Sequence, residues 1–316
     1  MGRNIALDIL KLSMAFMVVG LHAGFLGDIT PLGSYLTVNG IFRIAVPIFF
    51  LINGFYFYPI ILKNSQVNWL KRVFILHVFW TVFYSYFWLN NPDFPFIIVL
   101  LKNISIGYYH LWYLPAMLGA AIILVLVKTF SSNILFISIL STFICGVFMQ
   151  YIGTYHLLEG NVLDKVLTYE FIYRNFLFFA YPFFCLGYLI NKHSLHERIS
   201  FKLISILSAI GLLTLTAESY INYYQYQRDG GIDIFLSLIF VCPLIFILFL
   251  KLQIPHKSKK IALYSSSIYF IHLFILNLYR EYTDFNGSLL TLIAILTSVF
   301  FSFFIIKINV KFKFIL

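Results

Sequence analysis

Apolar stretches of about 20 residues recur along the whole of this 316-residue chain, and they constrain its fold more than any other feature. A helix of about 20 residues is long enough to cross the hydrocarbon layer of a membrane. Inside lipid every backbone N–H and C=O group must be paired, which leaves only helices and closed β-barrels. Barrel strands alternate apolar and polar residues, whereas these stretches are continuously apolar. We therefore predict an all-α integral membrane bundle that forms a single domain over residues 1–316.

Ten spans fit this pattern and leave little chain between them. Of the residues, 61% are hydrophobic and 11% are charged, with a mean hydropathy of +0.91, whereas soluble domains carry roughly 25% charged residues. The segment 92–110 is only partly apolar, so we expect a re-entrant or interfacial piece there. The predicted spans lie near residues 5–25, 37–58, 73–90, 111–128, 133–152, 174–191, 203–221, 232–250, 262–280 and 288–306.

The distribution of lysine and arginine predicts the orientation of the bundle, because cytoplasmic loops are enriched in both. Both termini are expected in the cytoplasm, since this choice collects 15 of the 22 basic residues on that side. The net charge of +10 therefore reflects membrane topology, and we expect no nucleic-acid partner. The cytoplasmic basic residues are Arg3, Lys63, Lys71, Arg72, Lys128, Lys192, Arg198, Lys202, Lys251, Lys257, Lys259, Lys260, Lys307, Lys311 and Lys313. The charged residues assigned to the outside are Lys102, Lys165, Arg174, Arg228, Arg280, Asp28, Asp93, Glu159, Asp164, Glu170, Asp229, Asp233, Glu281 and Asp284.

The first span carries three ionisable residues, Asp8, Lys11 and His22. A charge at the centre of a membrane costs about 2.5–3.5 kcal/mol on insertion scales, so such residues usually face a cavity. Lys11 and His22 are separated by three helical turns to within about 20°, and by about 16 Å along the axis. We therefore predict that both face one hollow and that Asp8 pairs with Lys11. The alternative is structural: Asp8 only neutralises Lys11, and His22 lies at the water boundary.

Further polar residues interrupt the later spans. Arg43 precedes Pro47 and Asn53-Gly54, a combination that indicates either a broken helix lining a cavity or an ordinary kinked helix. The alternatives for the other candidates are an aromatic belt at the membrane surface and polar contacts between helices. The three cysteines lie in apolar runs without metal-binding spacing, so we expect packing roles and no metal site. The later candidates are His110, Trp112, Arg174, Ser266, Tyr269 and His272.

Taken in order, these segments resemble the acyltransferase-three family of polytopic membrane O-acyltransferases over nearly the whole chain. The first span matches the family's Asp-x-x-Arg/Lys pattern with a later histidine. Lys11 stands where most members have arginine, Asn53 stands where serine is usual, and the arginine expected three residues after Arg72 is Ile75. The chain looks most like the single-domain bacterial members that O-acetylate surface polysaccharides. The matching segments are Asp8 to His22, Arg43 to Gly54, His110-Leu-Trp112, Phe183 to Tyr188, and the set Ser266, Tyr269 and His272.

The resemblance implies an enzyme of the bacterial inner (cell) membrane that moves an acetyl group from cytoplasmic acetyl-CoA to a hydroxyl of a glycan or lipid-linked glycan outside. His22 would act as general base, since histidine titrates near the working pH. The implied catalytic residues are Asp8, Lys11, His22, Tyr269 and His272; either of the last two, Ser266 or Arg43 would stabilise the oxyanion. The implied coenzyme-binding residues are Lys71, Arg72 and Arg43. The implied acceptor-binding residues are His110, Trp112, Arg174 and Ser266, with Trp112 stacking on a sugar ring.

Other functions fit part of the pattern. A transporter or flippase of a polysaccharide pathway would also have many helices with buried charges, although no inverted repeat is evident. A non-catalytic component of a polysaccharide synthesis complex would need no histidine base. Within the enzyme class, the acyl group could be succinyl and the acceptor an amino acid such as serine, since relatives of resistance-linked racemases share this architecture. Membrane lipids are expected partners, and a homo-oligomer is compatible with the sequence.

Overall fold

The computed structural model describes residues 3–89, 94–225 and 229–316, and over these ranges the chain is a helical bundle. Short turns of 3-10 helix at Ile41–Ile44 and Tyr109–Trp112 and of π-helix at Phe176–Ala180 precede three of the helices. The strands β1 (Arg3–Asn4) and β2 (Pro255–His256) form one short antiparallel pair. The α-helices are α1 (Ile5–Ala23), α2 (Pro31–Val38), α3 (Ala45–Leu62), α4 (Gln66–Phe83), α5 (Ser85–Trp88), α6 (Phe96–Ser105), α7 (Tyr113–Val127), α8 (Ser132–Thr154), α9 (Val162–Leu167), α10 (Glu170–Tyr173), α11 (Tyr181–Lys192), α12 (Leu195–Arg198), α13 (Phe201–Tyr223), α14 (Leu238–Lys251), α15 (Lys260–Tyr282) and α16 (Gly287–Lys311).

Seven helical segments of the described chain are long and apolar enough to cross a membrane. They are Ile5–Ala23, Pro31–Leu62, Tyr109–Val127, Ser132–Thr154, Phe201–Tyr223, Lys260–Tyr282 and Gly287–Lys311. The other predicted spans correspond to helices that are shorter, as in Phe176–Lys192 and Leu238–Lys251, or less apolar, as in α4. An all-helical membrane bundle is therefore confirmed, whereas the count of ten spans and the cytoplasmic termini stay predictions. Asp93 and Arg228, which contributed to the orientation, lie outside the described residues.

Helix α1 is fixed at both ends by local sequence. The Asn4 side chain accepts a hydrogen bond from the Ala6 N–H as an N-cap. The Asn4 amide also donates to the carbonyls of Phe249 and Leu250 at the end of α14. Gly24 ends the helix in the left-handed conformation, with φ of 77°, which glycine adopts without steric cost.

The predicted second span, 37–58, is not one helix. The chain forms α2, then the 3-10 turn Ile41–Ile44 that contains Arg43, and only then α3. Pro47 lies in the first turn of α3, where backbone N–H groups have no partner within the helix in any case. Pro47 therefore does not kink the helix, and the break in this span comes before α3 begins.

Helices α3 and α11 pack backbone against backbone through two glycines. A Cβ atom on Gly54 would lie 1.8 Å from the Phe184 carbonyl oxygen, and one on Gly187 would lie 2.1 Å from the Leu51 carbonyl oxygen. Any larger residue at either position would have to push the two helices apart.

Helix α6 occupies much of the segment 92–110. Its 10 residues extend over about 15 Å, roughly half of the hydrocarbon thickness. It contacts α4, where His77 Nε2 lies 2.9 Å from the Ile104 carbonyl oxygen. This helix is too short to span the membrane, in agreement with an interfacial or re-entrant piece.

The bundle has two ends that the helix directions define. The end where α1 and α15 begin and where α3 and α14 finish is called the Lys11 end. The opposite end, where α1 and α15 finish and where α3, α7, α11 and α14 begin, is called the His22 end. The β1–β2 pair lies at the Lys11 end, and there it joins the start of α1 to the loop between α14 and α15.

Candidate active site

Lys11 faces a cavity of about 580 Å³ at the Lys11 end. Asp8 is buried in the wall of this cavity, one turn before Lys11. The Lys11 ammonium lies 5.5 Å from the centre of the Tyr56 ring, a distance at which a cation is attracted to an aromatic face. The cavity is lined by Asn4, Leu7, Asp8, Lys11, Phe55, Tyr56, His196, Leu250, Gln253 and Pro255.

A second cavity, of about 210 Å³, continues from Lys11 and Tyr56 towards the middle of the bundle. Ser265 in its wall donates a hydrogen bond to the Lys11 carbonyl oxygen at 2.8 Å. Ser266 also lines this cavity. Trp112 and Arg174 line a different cavity, so the structure does not bring Ser266 together with them, and acceptor binding by Ser266 stays a prediction.

Three aromatic rings close the inner end of the second cavity, and we call Phe49, Tyr113 and Tyr269 the aromatic layer. Their ring centres lie 5.6–6.2 Å apart in all three pairs. Asn53 donates to the Tyr113 hydroxyl at 2.8 Å, and the Tyr269 hydroxyl donates to the His110 carbonyl oxygen at 2.8 Å. The rings are thus held by hydrogen bonds as well as by packing.

His22 lines a separate cavity of about 50 Å³, one turn beyond the aromatic layer. The predicted single hollow that joins Lys11 to His22 is therefore absent from the described structure. The two residues face cavities on either side of the layer because Phe49, Tyr113 and Tyr269 fill the bundle between them. The His22 cavity is lined by Val18, Leu21, His22, Phe42, Arg43, Val46, Trp112, Arg174, Phe179 and Asp233.

The His22 ring packs against other aromatic rings of the bundle. It stacks on the His272 ring, with ring centres 5.4 Å apart and planes inclined by 24°, and it contacts the Tyr109 ring at 5.4 Å. The Arg280 side chain donates to the His22 carbonyl oxygen. These contacts fix the ring at the cavity wall, and among the described residues neither ring nitrogen has a hydrogen-bond partner.

His272 and His110 lie behind His22 and are buried. His272 Nδ1 lies 2.7 Å from the Tyr269 carbonyl oxygen, so this nitrogen carries the proton and Nε2 is left as an acceptor. The His110 ring contacts the His272 ring at 5.0 Å and is absent from the cavity lining. Within this geometry His110 supports His272, and a direct contact between His110 and the acceptor, as predicted, would require a rearrangement.

Two arginines of the His22 cavity share one carboxylate. Arg43 and Arg174 each pair with a different oxygen of Asp233, the latter at 2.9 Å. Arg174 also pairs with Glu170, and its guanidinium lies 5.2 Å from the centre of the Trp112 ring. The structure thus brings together Arg43, Trp112 and Arg174, three of the predicted site residues, around His22.

Asp233 is the functional candidate that sequence reasoning missed as a site residue. It lies just before α14, where the Gln150 side chain accepts a hydrogen bond from its N–H at 3.0 Å. Burial alone would raise the pKa of the Asp233 carboxyl, but Arg174 and Arg43 hold it below its usual range. Two arginines near the starts of apolar spans were the available signal, since buried cations call for a counterion.

The predicted coenzyme site of Lys71, Arg72 and Arg43 is not one site. Lys71 and Arg72 lie in α4, near the Lys11 end, whereas Arg43 precedes α3 at the His22 end. The 18 residues of α3 separate these positions by about 27 Å. Arg72 donates to the Leu316 carbonyl oxygen at 3.1 Å, and Lys71 is exposed. Arg43 therefore belongs with His22.

Among the residues that the structure describes, acidic, histidine and cysteine side chains do not gather into a metal-binding group. Over the described ranges, no three of them are close enough to hold an ion.

Comparison with known proteins identifies the class. A family model described as "Acyltransferase domain" matches residues 4–307, and the chain belongs to this acyltransferase-three family. The predicted resemblance and the enzyme class, an acyltransferase, are both confirmed by this match. With its apolar helices, the chain is a membrane acyltransferase.

The relatives found among curated proteins carry other names. One is a "Serine/alanine racemase" of Enterococcus gallinarum, 28% identical over 284 residues that make up 82% of this chain and 38% of the relative. Another is an "Amino-acid racemase" of Enterococcus faecalis, 25% identical over 285 residues, or 84% of this chain and 40% of the relative. The chain thus spans about two fifths of the length of these relatives. No solved structure matches the chain significantly.

Proposed function

We propose that the chain transfers an acetyl group from acetyl-CoA, bound at the Lys11 end, to a hydroxyl of a surface glycan at the His22 end, with these ends facing the cytoplasm and the outside of a bacterial cell membrane. One observation carries the proposal: a single helix, α1, places Lys11 on a cavity of about 580 Å³ and His22 on a separate charged cavity. A donor and an acceptor that come from opposite sides of a membrane need two binding cavities, one at each end of the bundle.

The Lys11 end suits a large donor. Its cavity combines the Lys11 ammonium and the Asp8 carboxyl group with the polar side chains of Asn4, Tyr56, His196 and Gln253. An ammonium attracts phosphate as a point charge, and amide and phenol groups form hydrogen bonds with an amide-rich pantetheine arm. Lys71 and Arg72 of α4 stand at the same end and add positive charge.

The His22 end suits proton transfer. His22 would take the proton of the acceptor hydroxyl as its oxygen forms a bond to the acetyl carbon, and the C–S bond of the thioester would then break. The departing thiolate would take up the proton, which leaves the histidine neutral for the next cycle. General base action of this kind contributes about 10²–10⁴-fold in rate.

The oxyanion of the tetrahedral intermediate needs hydrogen-bond donors that are already in place. The Tyr269 hydroxyl is committed to the His110 carbonyl oxygen, and Ser266 lies on the other side of the aromatic layer. The guanidinium groups of Arg43 and Arg174 face the His22 cavity. Among the predicted donors, Arg43 is the one that lines this cavity, and the positive charge of its guanidinium group would stabilise the developing oxyanion.

The aromatic layer must open for the acetyl group to pass from one cavity to the other. Phe49, Tyr113 and Tyr269 are packed between Lys11 and His22 in this structure, and only side-chain rotation or a small helix shift would join the cavities. We infer that donor binding at the Lys11 end promotes this opening, which would limit hydrolysis of the thioester in the absence of acceptor.

A second candidate acceptor is an amino acid. The relatives named as serine/alanine and amino-acid racemases cover more than four fifths of this chain. A serine hydroxyl could be acetylated by the same chemistry, and this alternative changes the acceptor but not the role of His22.

Mass analysis of surface glycans from cells with and without the protein tests the proposal. We expect the added mass of one acetyl group per repeat only with the wild-type chain, and we expect His22→Ala to lose it while the protein remains in the membrane. His193→Ala is a matched control, because His193 binds Ser132 outside the described cavities. An acetylated glycan in cells with His22→Ala would exclude the general-base role.

A further inference from the structure

The His22 cavity carries more positive than negative charge on its wall. Arg43 and Arg174 are both permanently charged guanidinium groups, and Asp233 between them supplies one negative charge. Glu170, the other partner of Arg174, has a side chain that is 57% exposed, and exposed ion pairs are strongly screened by water. The groups that face the cavity are therefore left with an excess positive charge.

Arg43 also keeps an unused hydrogen-bond donor. Its Nη1 atom donates to Asp233 and its Nη2 atom donates to Asn39. Its Nε atom is buried and has no partner among the described residues. Leaving a buried donor unpaired costs about 1–3 kcal/mol, so this atom calls for a ligand that accepts hydrogen bonds.

The size and the walls of the cavity restrict that ligand. About 50 Å³ accommodates a small group rather than a sugar ring. The remaining walls are mostly apolar, with Val46 and Phe179 beside the arginines and the Trp112 ring against the Arg174 guanidinium. The terminal nitrogens of both arginines already bind Asp233, Asn39 and Glu170. A small anionic group would therefore accept its hydrogen bond from Arg43 Nε and be attracted by the charge of both guanidinium groups.

We propose that the acceptor is a hydroxy compound that carries a carboxylate, which Arg43 and Arg174 bind in the His22 cavity while the hydroxyl is presented to His22. This inference rests on the proposed acetyl transfer, since it names the acceptor class of the same site. Two sources supply such a group: a uronic acid unit of a glycan, or a hydroxy amino acid.

Matched ligand pairs test the inference with the wild-type protein in lipid nanodiscs. The first pair is methyl glucuronoside and methyl glucoside, and the second is serine and serinamide; each pair differs at the carboxyl group. We expect the carboxylate member of at least one pair to bind about tenfold or more tightly than its neutral counterpart, as for a charge-assisted hydrogen bond. The pair that discriminates identifies the source. Equal affinities within both pairs would overturn the inference.

Two variants locate the effect. Arg174→Lys keeps a positive charge beside Asp233 but loses the planar fork, so we expect it to lose most of the preference for the carboxylate. Lys165→Gln removes an exposed charge of α9 at the same end and should keep the full preference. An unchanged preference in Arg174→Lys would contradict the assignment.

The binding measurement needs no acetyl-CoA, which separates this inference from the proposed function. A carboxylate preference without any acetyl transfer would leave the anion site standing and exclude the transferase proposal. Equal transfer to charged and neutral acceptors would leave the transferase proposal standing and exclude the anion site.

Discussion

Asp233 connects three parts of the chain that are distant in sequence. It binds Arg43, which precedes α3, and Arg174, which follows α10, and Gln150 of α8 holds its backbone. Removing one partner of a buried ion pair typically costs about 3–5 kcal/mol, because the remaining charge is left without compensation. Asp233 therefore sets the position of both arginines relative to His22.

The sequence predicted which residues line a cavity where their spacing along a single helix decides it. The offset of 11 positions from Lys11 to His22 places both on one face of a helix, and each does line a cavity. The sequence could not reveal the aromatic layer, because 20% of the residues are aromatic and nothing distinguishes Phe49, Tyr113 and Tyr269 from the rest. Asp233 was assigned only to a surface, since its two partners come from other helices.

His156 provides a prediction for a residue outside the membrane-spanning helices. A hydrogen bond from its Nδ1 atom to Asp164, at 2.7 Å, raises the pKa of His156 above its usual 6.5, and Asp229 adds to this effect. A raised pKa in the folded state means stabilisation that is complete below pH 6.5 and is lost as the pH rises through the higher value.

We therefore expect the melting temperature of the wild type to fall between mildly acidic and mildly alkaline pH by more than that of His156→Gln. Thermal unfolding in detergent across this range measures the difference. Parallel curves for the two proteins would show that the His156–Asp164 contact contributes nothing to stability.

At the scale of elements, the alternation of helix direction explains which residues meet. His22 ends α1, whereas Arg43, Trp112, Arg174 and Asp233 all precede helices that start at the same end of the bundle. The order of apolar spans predicted this shared end correctly. The prediction of one coenzyme site was wrong for Arg43, because the length of α3 separates it from Lys71 and Arg72 of α4.

The close contact between α3 and α11 predicts that Gly54 cannot be replaced without a loss of stability. In Gly54→Ala the new methyl group would meet the Phe184 carbonyl oxygen at 1.8 Å, and backbone cannot move aside as a side chain can. We expect a loss of stability at or above the ~1–3 kcal/mol typical of overpacking, measured by thermal or denaturant unfolding in detergent.

Gly211→Ala is the matched control for this prediction. Its methyl group would lie 3.2 Å from the Cα atom and the side chain of Val241 in the contact between α13 and α14, so a shift of the helices by a few tenths of an ångström relieves it. We expect Gly54→Ala to be clearly less stable than Gly211→Ala. Equal stability of the two variants would mean that α3 and α11 are not in tight contact.

At the scale of the whole molecule, the two cavities divide one reaction between two ends of a membrane bundle. In the proposed reaction, the larger cavity beside Lys11 would hold the donor and the small charged cavity beside His22 would hold part of the acceptor, with the aromatic layer between them. The fold class followed from hydropathy alone. The closure between the two cavities could not be predicted from hydropathy, because it depends on how rings from α3, α7 and α15 pack together.

Sealed vesicles that contain the protein in one orientation test whether the acetyl group crosses between the two cavities. Acetyl-CoA is supplied only on the side of the Lys11 end, the carboxylate-bearing acceptor only on the side of the His22 end, and acetylated acceptor is measured by mass. We expect acetylated acceptor and released coenzyme on opposite sides of the membrane, and no product when the two substrates are exchanged. Product that forms only when both substrates share one side would contradict transfer between the two cavities.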